Sequence, residues 1–162
     1  MKQLIRNSTF ETNSSSIHSL VIFNHKNTYE ELVFMLDELD RHRFDITVGE
    51  YGWEFEKYDS SLNILSYLWT YVNHCAEHLI EKMKEYMPNT NFVAPSKDSH
   101  GFSEGYIDHS GNWELEPIFA SKENFAEAVL RSEIATANDN TDIDDYLDYP
   151  ADHIKAQYIK TN

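Results

Sequence analysis

The stretch from Ser60 to Met87, closed by Pro88, limits the architecture more than any other part of the chain. Asp59, Ser60 and Ser61 offer side chains that can cap a helix N-terminus. Beyond them, Leu65, Leu68, Trp69, Val72, Ala76, Leu79 and Met83 fall on one face when each residue turns by about 100°. So long an apolar face must be covered by other elements, and the spacing predicts a helix that serves as the spine of a packed core. Tyr67 and Tyr71 widen the apolar coverage on one flank. His74, His78 and Glu81 fall opposite and read as exposed. The stretch HCAEH lacks the HExxH arrangement that sets a catalytic carboxylate beside zinc, so no metal is expected there.

The elements that would cover this helix are mixed. Leu4-Ile5 is a candidate short strand, and the contiguous apolar residues of Ser19 to Phe23 read as a buried one. Thr28 followed by Glu31 is a capping-box signal, and Leu32, Met35, Leu36 and Leu39 then recur at helical spacing through Asp40. From Phe44 to Tyr58 the alternation of Ile46, Val48, Trp53 and Phe55, broken by Gly49 and Gly52, suggests a hairpin or two short strands. A strand is expected around Phe92 and Val93. Ser110-Gly111-Asn112 has hairpin-turn composition, so Tyr106 to His109 and Trp113 to Phe119 are expected to pair antiparallel. Ser121 caps a helix with Phe125, Val129 and Leu130 on one face, and Ser132 to Ala137 reads as a late core strand. With 162 residues, 41% of them hydrophobic, the chain suits one α+β domain: a mostly antiparallel sheet packed against helices at 28–40, 60–87 and 121–131.

Three polar segments adjoin these strands. The first, Arg6 to Phe23, reads RNSTFETNSSSIHSLVIF, and its short side chains can either hydrogen-bond their own backbone as a turn or line a small pocket. The second ends in Asp108 and His109, and the third is Asn138, Asp139 and Asn140. If the strand ends converge, His18 and His109 could act as an acid and base pair, because imidazole titrates near neutrality. Asp108 or Asp139 would orient one ring, and the serine-rich backbone would hold an oxyanion or phosphate. The bland alternative makes His18 a packing residue and the other two segments turns. GxSxG, Walker and GxGxxG motifs are absent, and no cofactor is expected.

Charge narrows the partners. Lys and Arg total 13 against 28 Asp and Glu, a formal charge of 13 − 28 = −15. Direct nucleic-acid binding is disfavoured, since its affinity comes from clustered cations. An acidic surface suits a basic protein partner or simple solubility. The segment from Asp139 to Asp148 carries five aspartates and no base. Its alternating Asn138, Asn140, Asp142 and Asp144 imitate a calcium loop, yet Ile143 stands where the glycine belongs and Tyr149 where the bidentate glutamate belongs, so an EF-hand is rejected. Asp142, Asp144, Asp145 and Asp148, interleaved with Tyr146 and Tyr149, form the candidate partner-binding patch. The single cysteine, Cys75, fits a reducing compartment, and no apolar run approaches the roughly 20 residues of a membrane span. A soluble cytoplasmic protein is expected.

The opening R-x-x-x-FETNSSS-x-HS, the YIDH of Tyr106 to His109 and the S-x-I-x-T-x-NDN of Ser132 to Asn140 resemble a family of small proteins from phages and low-GC Gram-positive bacteria. The resemblance implies a phage or prophage origin, a bacterial host cytoplasm and a shared fold. The matching positions are Arg6, Glu11, Thr12, Asn13, Ser14, Ser15, Ser16, His18, Asp108, His109, Asn138, Asp139 and Asn140. It attaches no activity to them. Three functions follow as expectations. The first is an acidic interaction protein that occupies the basic groove of a host nucleic-acid-binding machine, of the CRISPR-effector or restriction type. The second is a phosphoesterase or nucleotide-modifying enzyme built on the His/Asp/Ser pocket, and the third a phage structural or assembly component.

Overall fold

The computed structural model describes residues 16–52, 55–97, 99–101, 104–107, 115–138 and 159–161. In chain order these form β1 (Ser16–Ile22), α1 (Tyr29–Asp40), β2 (Asp45–Ile46), β3 (Glu50–Tyr51), β4 (Glu56–Tyr58), α2 (Ser61–Cys75), α3 (Ile80–Tyr86), β5 (Asn91–Phe92), β6 (Tyr106–Ile107), α4 (Lys122–Arg131), β7 (Ser132–Asn138) and β8 (Ile159–Thr161). Single turns of 3-10 helix lie at Glu77–Leu79 and Glu116–Phe119. The fold is α+β.

The main sheet is antiparallel, with strand order β4-β7-β1-β8. Its inner face carries His18, Leu20 and Ile22 from β1 beside Ile134 and Thr136 from β7, all buried. The opposite face includes Val21 and Glu133. Ala135 and Ala137 are fully buried there with Phe55 packed against them, and Lys57 pairs with Glu133 at 2.9 Å. The strand begins three residues earlier than the apolar run Ser19 to Phe23 alone predicts, because His18 continues the two-residue alternation of Leu20 and Ile22.

The spine is present but divided. Ser60 caps α2 by accepting from Asn63 N–H at 3.2 Å, and every residue predicted for its apolar face is buried. The single helix expected over 60–87 breaks at Ala76, whose φ of −147° and ψ of 53° leave the helical region. Neither proline nor glycine stands at the break, so it carries no local signal. Beyond it, Tyr86 reaches the 3-10 turn and α4: its hydroxyl donates to Phe119 O at 3.0 Å and its ring lies 5.4 Å from that of Phe125. Tyr67 and Tyr71, expected on a flank, are also buried, since α2 contacts β2, β6, β7 and α4.

Among the described residues no hairpin joins the central strands. β2 pairs with β5 and β3 with β6, both parallel, which is possible because α2 and α3 supply the long crossover that parallel neighbours require. Glu116–Phe119, expected to be strand, is 3-10 helix, with Pro117 in its first turn. Residues 108–114, including the predicted hairpin turn, lie outside the described set, as do Leu4 and Ile5. Gly105 leads into β6 at φ 76°, and a Cβ there would fall 2.5 Å from Val48 Cβ, so only glycine fits the crossing.

The first of these parallel pairs is set by Asp40, the last residue of α1. Its buried carboxylate accepts from Asn89 N–H, Asn89 Nδ2, Thr90 N–H and Thr90 Oγ1, at 2.7 to 3.2 Å. The next residue, Asn91, then donates its N–H to Phe44 O at 2.9 Å. Replacing Asp40 by alanine strands the two buried donors of Thr90 and removes the bonds to Asn89, and the expected loss is on the order of 3 kcal/mol in urea unfolding. A loss below about 0.5 kcal/mol would show that the turn is held by other contacts.

Candidate functional site

The register of β1 with β7 sets Ser16 opposite Asn138. The backbone therefore brings the last residue of the opening serine run and the first of the Asn138-Asp139-Asn140 segment to one end of the main sheet. Arg6, Glu11 to Ser15, Asp108, His109, Asp139, Asn140 and the Asp142 to Tyr149 patch lie outside the described residues. β6, which leads to Asp108, belongs to a different sheet.

His18 is fully buried. Its Nδ1 lies 3.0 Å from the Tyr67 hydroxyl, so a strand of the main sheet and the centre of α2 meet through a polar contact inside the core. Tyr67 stacks edge-on against Tyr51 at 4.8 Å, and Tyr51 against Tyr58 at 5.2 Å. The Tyr51 hydroxyl donates to Ser66 Oγ at 2.9 Å, and Ser66 in turn donates to Thr47 O at 2.7 Å. Thr70 Oγ1 accepts from Gly49 N–H at 2.9 Å and donates to Ser66 O at 2.8 Å. Burial pushes the Tyr67 hydroxyl well above its ordinary ionisation range, and also raises Tyr51 and Tyr58, the latter aided by the carboxylate of Glu56 beside it. These phenols stay neutral and serve as hydrogen-bonding cement.

The outer face of α1 has a different character. Thr28 and Glu31 form the predicted capping box, and Leu32 and Leu36 are buried. Met35, predicted for the core side, is instead 37% exposed; Phe34 is 62% exposed and Tyr29 45%. Leu32, Leu36 and Leu39 already fill the contact with the body, which leaves Met35 on the far edge of the helix. A shallow cleft of about 480 Å³ is lined by Tyr29, Glu30, Val33, Phe34, Asp37 and Glu123. A second, of about 400 Å³, is lined by Asn27, Glu30, Glu31, Phe34 and Met35. The body behind α1 is tied down by polar links: Lys122 to Asp37 at 2.7 Å, His25 to Glu127 at 3.0 Å and Arg131 to Asn27 at 2.5 Å. The helical repeat signals this face, because Phe34 falls midway between the buried Leu32 and Leu36 and must point away from them.

His74 and His78 are exposed, and His78 lies 3.2 Å from Glu116. Among the described residues no group of three or more His, Cys, Asp or Glu could hold a metal ion, and no helix is long and apolar enough to cross a membrane. No protein-family model matches the chain, and neither a curated protein nor a solved structure matches it.

Burial of Tyr67 has a consequence in alkali. Its ionisation is raised in the folded protein, so the unfolded chain loses the phenolic proton first; its contribution to stability is complete below about pH 10 and is lost as pH rises beyond it. Tyr67→Phe is expected to reduce the slope of unfolding free energy against pH by roughly 1.4 kcal/mol per pH unit above that point, whatever its offset at neutral pH. Urea unfolding across the alkaline range measures the slope. An unchanged slope would mean that Tyr67 ionises within the folded protein.

Proposed function

We propose that this is a small acidic interaction protein, of phage type, that inhibits a host nucleic-acid-binding machine by occupying its basic surface. The observation that carries the reading is the charge of −15. Groups such as Glu30, Glu50, Glu77, Glu85 and Glu123 are exposed on several elements, so much of the charge is displayed and not consumed in internal pairs. A cationic groove built for phosphates attracts such a surface at long range and binds it in competition with nucleic acid. The resemblance of the opening motif to phage and Gram-positive proteins supports a defence enzyme, of the CRISPR-effector or restriction type, as the target. The enzyme alternative is weaker, because His18, its acid or base, is fully buried against Tyr67.

DNA cleavage by a panel of restriction and RNA-guided nucleases, with the protein added, tests the reading. At least one nuclease is expected to be blocked, with affinity falling at least about tenfold between about 50 and 200 mM salt. Lysine at Asp142, Asp144, Asp145 and Asp148 together should relieve the block. Affinity insensitive to ionic strength would sink electrostatic competition, and a panel left uninhibited would sink the choice of target.

A further inference from the structure

Five large hydrophobic side chains are exposed among the described residues, and three of them, Tyr29, Phe34 and Met35, stand on α1. Phe34 is a ridge between the two clefts, since both are lined by it and by Glu30. Glu30, Asp37 and Glu38 lie one turn away from it on the same helical surface. None of the residues lining these clefts is a cation; of their four carboxylates Asp37 pairs with Lys122 at 2.7 Å and Glu31 accepts from Thr28 N–H at 2.8 Å, which leaves Glu30 and Glu123 open near the ring. An aromatic ring in a carboxylate frame has a definite complement. A planar guanidinium can stack on the ring while its N–H groups reach the carboxylates, and an apolar neighbour covers Met35 and Tyr29.

We propose that the outer face of α1 docks an arginine-bearing amphipathic segment of a protein partner. This rests on the interaction reading above and assigns it a surface that the acidic segment after Asn138 does not supply. A second copy of the chain fits poorly, because two such faces would bring like charges together. A lysine-bearing segment fits less well, since an ammonium lacks the flat surface and fork that match ring and carboxylate together.

The experiment uses the full chain and a fluorescently labelled synthetic helix of arginine and leucine, with binding followed by anisotropy at low salt. Phe34→Ala and Glu30→Gln, both at exposed positions, are each expected to weaken binding about five- to tenfold. Glu50→Gln, which removes the same charge from β3, should leave it within about twofold, and a lysine–leucine helix should bind several-fold more weakly. Wild-type affinity in Phe34→Ala overturns the proposal, as does equal affinity for the lysine helix. If Phe34→Ala changes sedimentation of the protein alone, the face serves self-association and the proposal is likewise overturned. Peptide binding that survives Phe34→Ala but is lost on charge reversal at Asp142, Asp144, Asp145 and Asp148 removes this docking face and leaves the acidic-interaction reading standing. No peptide binding by any form, together with no nuclease inhibited, removes both.

Discussion

A helix buried on nearly every side can keep polar atoms only if its surroundings supply partners, and α2 is such a helix. Ile64, Leu65, Tyr67, Leu68, Trp69, Thr70, Tyr71 and Val72 are all buried on it. Four of these side chains carry polar atoms, and an unpaired buried hydroxyl or indole N–H costs roughly 1–3 kcal/mol. The partners come from different parts of the chain: His18 on β1 for Tyr67, Gly49 N–H before β3 for Thr70, and Val93 O after β5 for the indole of Trp69 at 2.7 Å. Each contact fixes one surrounding element against the same axis. The polar groups of α2 thus locate the main sheet and both small parallel pairs, while its apolar groups supply the burial.

Local signals in the sequence proved reliable where one residue performs one short-range task. The capping pairs at Thr28, Ser60 and Ser121 each start a helix as expected, because a side-chain oxygen three residues before an open N–H acts without long-range help. The late strand after α4 was legible because Ile134 to Ala137 is a short uncharged run set between the end of that helix and the polar segment at Asn138. Pairing direction was not. Nothing near Ile46 or Tyr51 says that its neighbour lies far along the chain at Phe92 or Ile107, since a two-residue strand holds too little pattern to choose a partner. Tertiary anchors such as Asp40 and Gly105 make that choice.

The candidate site was legible in a more uneven way. The opening polar run ends at Ser16 and the Asn138 segment begins directly across the sheet from it, so two of the three polar segments share a strand end as adjacency to strands suggested. His18, read either as a catalytic imidazole or as a packing residue, follows the alternation with Leu20 and Ile22 inward to Tyr67. The α1 face was missed for the opposite reason. Met35 satisfies the spacing of a core residue, but Leu32, Leu36 and the half-buried Leu39 already fill the contact with the body, and periodicity does not record how wide a buried stripe the fold can accept.

That asymmetry separates the two ends of the molecule's chemistry. Beyond Ser16, β1 turns His18, Leu20 and Ile22 into the core. On α1 the inner contacts are complete without Phe34 and Met35, and the helix is fastened to α4 by Lys122 and Asp37. Phe34 is 62% exposed, so most of its ring adds nothing to the burial that holds the fold together. Asp37 and Glu31 are engaged in holding the helix, through Lys122 and the capping box, whereas Glu30 and Glu123 stand exposed near a ring that contributes little to its own fold, and these two with Phe34 would be complemented by the arginine-bearing segment proposed above.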